Sequence, residues 1–466
     1  MPYSQKSLLS TFFFIVIFFF GIGVDAFSDP SVQSLGKPYI GPKDMVTVDM
    51  MIEDFDFVLQ KLARVHPQTI DGFSPLQKQI ISEIRESIRQ PTTKENFFFS
   101  VNRLFHSFHD AHTTMWLVFS QGIDLPLVWL KDGLYVEWDT GHLVRGDRII
   151  SVGGKSVAQL FQEINQIVWT ENSHLVRLEG PWMLLSRPYL RQMGLVEQDG
   201  VTVVFSRAGR ERTVRLPIID LGRRREENLP LMTFAIETER NLAVLTLNMC
   251  RFDSEYFLKL RNFFREVREQ GINNIALDLR RNSGGDSRVI DLFLSYLNVD
   301  RIKTYGSTVR YSQESWDIAR ERGTGVERFP RSEKANRKVS DKNLLFSGRV
   351  FVLTSSKTFS SANMFAVTLQ DNRIATIIGE PTGNQPSCFG HPLNFEMPRT
   401  GIYFKISHKQ FFRPESSLDH LDAVYPDVEI YRTIDDIIQG RDSQMGKIRQ
   451  LIEGENTAIS PSKAVD

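Results

Sequence analysis

Leu277-Asp278-Leu279-Arg280-Arg281-Asn282-Ser283-Gly284-Gly285-Asp286 is the stretch that decides how the rest of the chain is read. An apolar strand, Ile275 to Leu279, runs into a double glycine, and a helix is expected over 286–298. Such a junction presents backbone N–H groups with no side chain in the way, at the positive end of a helix dipole. That is a seat for an anion or an oxyanion. The plain alternative is a tight turn with Asp286 as an N-cap. Around it the pattern repeats. Leu242–Leu247 reads as a strand and 254–269 as a helix. Val350–Leu353 follows as a strand, 360–371 as a helix and Ala375–Ile378 as a strand. Continuous apolar strands alternating with helices predict a parallel sheet covered on both faces.

A second junction of this kind is Thr354-Ser355-Ser356-Lys357-Thr358-Phe359-Ser360-Ser361-Ala362-Asn363. A serine entering a helix is most often a cap. The functional reading is a nucleophile whose developing charge is met by N–H groups of its own helix start and of the Gly-Gly turn.

Taken in order, the chain shows Leu-Asp-Leu-Arg-x-Asn-x-Gly-Gly, Thr-Phe-Ser-Ser-Ala-Asn, Leu-Gln-Asp-Asn, Ile-Gly-Glu-Pro-Thr-Gly and Tyr425-Pro426-Asp427-Val428. This series resembles the S41 peptidase family, the C-terminal processing (tail-specific) proteases and their tricorn-like relatives. The resemblance spans roughly residues 48–432. It implies an α+β multidomain chain: an N-terminal helical segment, a PDZ-like β domain and a crotonase/ClpP-like α/β catalytic core. It places the family's nucleophile on Ser360 and its oxyanion donors on the backbone of Gly284 or Gly285 and of Ser361.

The general base separates the branches of that family. The Ser-Lys branch has a lysine 25 residues after the nucleophile, where this chain has Gln385. The tricorn-like branch has an Asp-Gly-His-Thr stretch, matched here by Asp110-Ala111-His112-Thr113. His112 is therefore the candidate base, an imidazole able to take the serine proton near neutral pH. Two positions depart from that branch: Ala111 stands where a serine precedes the histidine, and His420 stands at the acidic position. Asp419 and Asp422 flank His420 as candidate orienting acids. Lys357 as base and Ser361 as nucleophile are the alternatives. His106, His109 and His112 recur every third residue, but no spaced carboxylate completes a zinc set. No metal or cofactor is expected.

Upstream, residues 27–118 read as an N-terminal helical domain, with Met51, Phe55, Val58, Leu59 and Leu62 at helical spacing. Thr92 and Thr93 before Glu95 mark the start of a further helix. Residues 119–222 switch to short strands. Gly146-Asp147-Arg148-Ile149-Ile150 with Gly153-Gly154 gives them a PDZ-like look. The peptidase core is expected over 230–435, with 306–346 a charged excursion, followed by a C-terminal tail over 436–466 in which 441–466 reads as a frayed helix. Residues 1–26 carry Lys6, the apolar run Phe12 to Val24 and Val24-Asp25-Ala26. That is the layout of a signal peptide, with an uncleaved membrane anchor as the alternative.

Composition narrows the function further. With 56 Lys+Arg against 56 Asp+Glu, the chain lacks the basic footprint of a nucleic-acid binder. Two cysteines, Cys250 and Cys388, exclude a disulfide scaffold and leave one possible pair open. The reading is a secreted or periplasmic serine endopeptidase acting on a polypeptide substrate. It meets a membrane only if the N-terminal segment stays in place. The alternative is a non-catalytic ligand- or peptide-binding protein on the same fold.

Overall fold

The computed structural model describes residues 41–221 and 229–459, with side chains to residue 454. The segment read as a signal peptide, residues 1–26, lies outside the described residues. The central sheet has six strands. In spatial order they are Met232–Glu237, Leu242–Leu247, Asn274–Asp278, Arg349–Thr354, Ala375–Gly379 and Val428–Glu429. All neighbours run parallel except the first pair.

Period-two alternation along these strands fills two apolar layers. Val350 and Val352 join the cluster beneath helices Ser254–Glu269, Arg288–Ser295 and Ser361–Asp371. Phe351 and Leu353 join Leu242, Ala276 and Ile378 on the opposite face. That second face is covered by helix Ser443–Ile459 through Met445, Ile448 and Ile452. The expected frayed tail is therefore a packed element. Each of those three side chains contributes about 1.5–3 kcal/mol by leaving water.

The charged excursion is also more ordered than its composition suggests. Gly306–Arg310 pairs with Tyr403–Phe412, which in turn pairs with Phe389–Glu396 and with Thr114–Trp116. Helix Gln313–Ala319 and two exposed strands, Val326–Phe329 and Ser332–Ala335, complete the segment. Its charges are those of outward-facing edge strands, which hydrogen-bond like any others.

Helices Val48–Val65, Pro75–Ser87 and Lys94–His106 form the N-terminal segment, the last capped by the Thr93 side chain on Asn96 N–H. A β domain follows. Its antiparallel sheet orders Arg210–Pro217, Gly200–Arg207, Arg148–Val152, Gly133–Val136 and Leu127–Leu130. Residues 157–192, expected as strands beyond a helix start, form three helices: Val157–Asn165, Ser173–Met183 and Arg187–Gln192. The N-terminal helices, this domain and the hairpin 389–412 share one apolar cluster, so these three parts hold each other in place. A buried bidentate pair, Arg413 on Asp371, fastens that hairpin to the end of helix Ser361–Asp371.

Candidate active site

The two strand–helix junctions lie side by side because their strands, Asn274–Asp278 and Arg349–Thr354, are parallel neighbours. Hydrogen bonds lace the turns together. Thr358 Oγ1 donates to Leu279 O at 3.0 Å and Phe359 N–H to Asn282 O at 3.1 Å. Ser361 Oγ donates to Gly285 O at 2.6 Å. The approach is so close that a Cβ on Gly284 would sit 2.7 Å from Ser360 Cβ, and one on Gly285 would sit 2.0 Å from Cys250 O. Both glycines also have φ above +100°, so only glycine serves there.

Ser360 stands at the entry to its helix with φ 52° and ψ −124° and makes no side-chain cap bond. It is therefore not the capping serine of the plain reading. A non-glycine residue in that region is strained by roughly 1–3 kcal/mol and persists only where its surroundings over-determine it. The surroundings here include Asn384, fully buried, whose Oδ1 accepts the Ser360 N–H at 2.8 Å.

The two glycines are not equivalent. Gly284 N–H is taken by Asn282 Oδ1 at 2.8 Å. The N–H groups of Gly285 and Ser361 are bonded to no acceptor among the described residues, which leaves these two open to an incoming oxyanion.

His112 comes from the N-terminal segment, just ahead of strand Thr114–Trp116, which pairs with Tyr403–Lys405. Its ring packs on Phe359, the residue before Ser360, with centroids 4.7 Å apart. Neither ring nitrogen has a hydrogen-bond partner among the described residues, though the Phe389 backbone lies near enough to favour the charged ring. Burial, opposed by Asp110, pushes the imidazole down to about 4. The neutral, proton-accepting form thus prevails over a wider range than the ordinary value near 6.5 would allow.

Two buried carboxylates hold this loop. Asp110 Oδ1 accepts the His112 N–H at 2.8 Å, and its other oxygen accepts from His66 Nε2 at 3.1 Å. His66 Nδ1 accepts the Gln68 N–H, which leaves Nε2 to carry the proton toward Asp110. Despite burial, the His66 bond and the charges around it hold the Asp110 carboxyl below its ordinary value. The second is Glu171, which sequence reasoning missed. Its Oε1 accepts Ala111 N–H at 3.2 Å. Its Oε2 accepts Asn384 Nδ2 at 2.6 Å and Gln385 N–H at 2.7 Å. One carboxylate therefore joins the His112 loop to the residue that positions Ser360. Burial and nearby Asp110 push it up to about 8, against three donors that favour the anion. Asp110, His112 and Glu171 each offer an atom within 4.8 Å of the others.

The remaining candidates stand elsewhere. Asp419 is bonded to Arg331 and to Ser387 Oγ, and Asp422 Oδ1 accepts from Tyr425. Neither is hydrogen-bonded or ion-paired to His112; the carboxylate that approaches its ring is Asp110, with Oδ1 3.9 Å from Nδ1. His420 Nδ1 bonds Ser417 O on the exposed surface. Lys357 lies three residues before Ser360, its N–H bonded to Ser355 Oγ. His106 bonds Asn165 O, so the histidines spaced by three do not converge. Cys250 and Cys388 are both buried and free.

One junction carries the strained Ser360 and the open Ser361 N–H and the other the open Gly285 N–H, an arrangement that suits a serine-type peptidase. Residues 242–430 match the model of peptidase family S41. Among solved structures, mature CPAF in complex with lactacystin has a TM-score of 0.64 at 15% identity, covering 87% of this chain and 98% of that one. Mature CPAF alone gives 0.63 at 15% identity with the same coverage. A photosystem II D1 C-terminal processing protease gives 0.42 at 16% identity, covering 83% of this chain and 93% of that one. At 15% identity the likeness to the two CPAF structures is one of fold. No curated protein matches the chain in sequence.

Proposed function

We propose that this chain is a secreted serine endopeptidase that cleaves polypeptides through an acyl-enzyme on Ser360, with His112 as general base. The observation that carries the reading is the strained Ser360 with Gly285 and Ser361 N–H groups open and a His112 ring, packed on Phe359, whose nitrogens make no hydrogen bond among the described residues. Ser360 Oγ attacks the scissile carbonyl and His112 takes its proton. The carbonyl oxygen becomes an anion facing the N–H groups of Gly285 and Ser361. Collapse expels the amine, which receives the proton from His112. Water then enters by the same route, and hydrolysis of the acyl ester restores Ser360. Asp110 and Glu171 hold the loop that carries the base.

The β domain over 119–222, read as PDZ-like, would hold an extended substrate as an added strand. Secretion rests on the N-terminal apolar run. N-terminal sequencing of extracellular material should begin near Phe27, and an intact Met1 in membranes would favour the anchor.

Covalent labelling by a fluorophosphonate tests the chemistry. Wild-type protein should label at Ser360 and Ser360→Ala should not. A folded wild-type protein that never labels would leave the binding-protein reading in its place.

A further inference from the structure

Glu321, His391 and His408 meet although nothing in their spacing foretells it. Glu321 follows helix Gln313–Ala319, whose end Arg320 closes at φ 59°. His391 and His408 stand opposite each other on strands Phe389–Glu396 and Tyr403–Phe412. There the ladder skips a pair between Gly390–Lys409 and Pro392–Ser407.

The ligand-type atoms converge. His391 Nδ1 lies 3.3 Å from His408 Nε2 and 3.3 Å from Glu321 Oε1, and His408 Nε2 lies 3.0 Å from Glu321 Oε2. A tetrahedral ion with bonds of about 2.0–2.1 Å separates its ligand atoms by about 3.3 Å. The protons agree with that spacing. His408 Nδ1 faces the His391 carbonyl, which can only accept, so Nδ1 carries the proton and Nε2 of the neutral ring a lone pair. That lone pair meets a carboxylate oxygen, an arrangement that calls for a proton or a cation between them. His408 is fully buried, while the His391 side chain is half exposed and leaves an approach from solvent. Lys409 Nζ donates to Glu321 Oε1 at 2.6 Å, leaving Oε2 as the free ligand.

The geometry points to a three-ligand site for a divalent transition ion of the Zn2+ class, formed by His391 Nδ1, His408 Nε2 and a carboxylate oxygen of Glu321. The ion fastens the segment 306–346 to the hairpin beside the candidate base. Gly390, the residue before His391, is close enough to His112 that a Cβ there would lie 3.9 Å from its ring. The sequence gives no warning of such a site, because Glu321 lies 87 residues from His408. This proposal does not depend on the peptidase mechanism.

Calorimetric titration of the metal-free full chain with ZnCl2 near pH 7.5 tests it, with Co2+ absorption as a second readout. One equivalent should bind, Co2+ should show the visible bands of a tetrahedral site, and Zn2+ should raise the melting temperature. His391→Ala and Glu321→Gln should each weaken binding by about 100-fold or more, since even outer-shell losses at metal sites reach that size. Because His391 is half exposed, its variant should melt near wild type without metal. Lys409→Met should tighten binding by removing a competing cation. Absence of stoichiometric binding to the wild type would overturn the proposal and leave His408 and Glu321 as a protonated pair. Binding that survives both substitutions would overturn it too, and would direct attention to Asp110, His112 and Glu171.

Discussion

Two clusters of histidine and carboxylate flank the same hairpin, and the roles proposed for them are opposite. Around His112 the Asp110 carboxylate bonds the His112 N–H and the His66 ring, Glu171 bonds backbone and amide donors, and neither His112 ring nitrogen is hydrogen-bonded among the described residues, Asp110 Oδ1 lying 3.9 Å from Nδ1. Around His408 the ring nitrogens and the Glu321 carboxylate point at one another at 3.0–3.3 Å. The contrast shows that the presence of an acid beside a histidine does not define its role. An imidazole that is to take the proton of a serine hydroxyl must keep one nitrogen open. One meant to hold an ion converges with other donors on a single point.

The largest test of this contrast is at the nucleophile that the first cluster would serve. Ser360→Ala should abolish fluorophosphonate labelling and peptide hydrolysis. The melting temperature should scarcely change, because the side chain makes no cap bond. Retained labelling would break the assignment of the His112 cluster to catalysis.

Next in size, His112→Ala should slow acylation by about 10²–10⁴-fold, the usual contribution of a positioned base. With the wild-type imidazole pushed down to about 4, the acid limb of the rate profile should fall near pH 4 and not near 6.5. Stability follows the same group. Above pH 6.5 the ring is neutral in folded and unfolded chains alike. Between 6.5 and about 4 only the unfolded chain binds the proton, so stability should fall as pH drops through that window. Urea titrations at pH 7, 5.5 and 4.5, compared with His112→Ala, would detect it.

Glu171→Ala should cost less, up to about 10²-fold in acylation, by loosening the Asn384–Gln385 loop against the His112 loop. The fold should survive, with a change chiefly in kcat. A drop no larger than that of a surface variant would remove Glu171 from the positioning role. The smallest effects are expected at the positions read as orienting acids. Asp419→Asn and Asp422→Asn should leave acylation within about twofold, since their bonds run to Arg331, Ser387 and Tyr425. A large loss there would mean that the acid works through a rearrangement.

The core was the most legible part of the chain. Leu242–Leu247 and Ser254–Glu269 have the bounds expected of them, because buried parallel strands are unbroken apolar runs and the helix is strongly periodic. The two junctions were visible because glycine and serine at a strand end are chemical signals in themselves. Helix Ser173–Met183 was not legible; it contains Gly180 and Pro181, which read as breakers. The last helix reads as a frayed end because Met445, Ile448 and Ile452 are sparse apolar residues in a polar stretch, and only the sheet face opposite explains them. Glu171 carried no signal of any kind. Its partners lie 60 and 214 residues away, and such a contact exists only once the fold has formed.

The backbone of Ser360 has a consequence beyond its chemistry. At φ 52° and ψ −124° it occupies ground that glycine adopts freely and serine does not. Ser360→Gly should therefore produce a dead enzyme that is as stable as the active one or more so. A gene copy released from its catalytic duty would find that exchange open, with no penalty in folding to resist it.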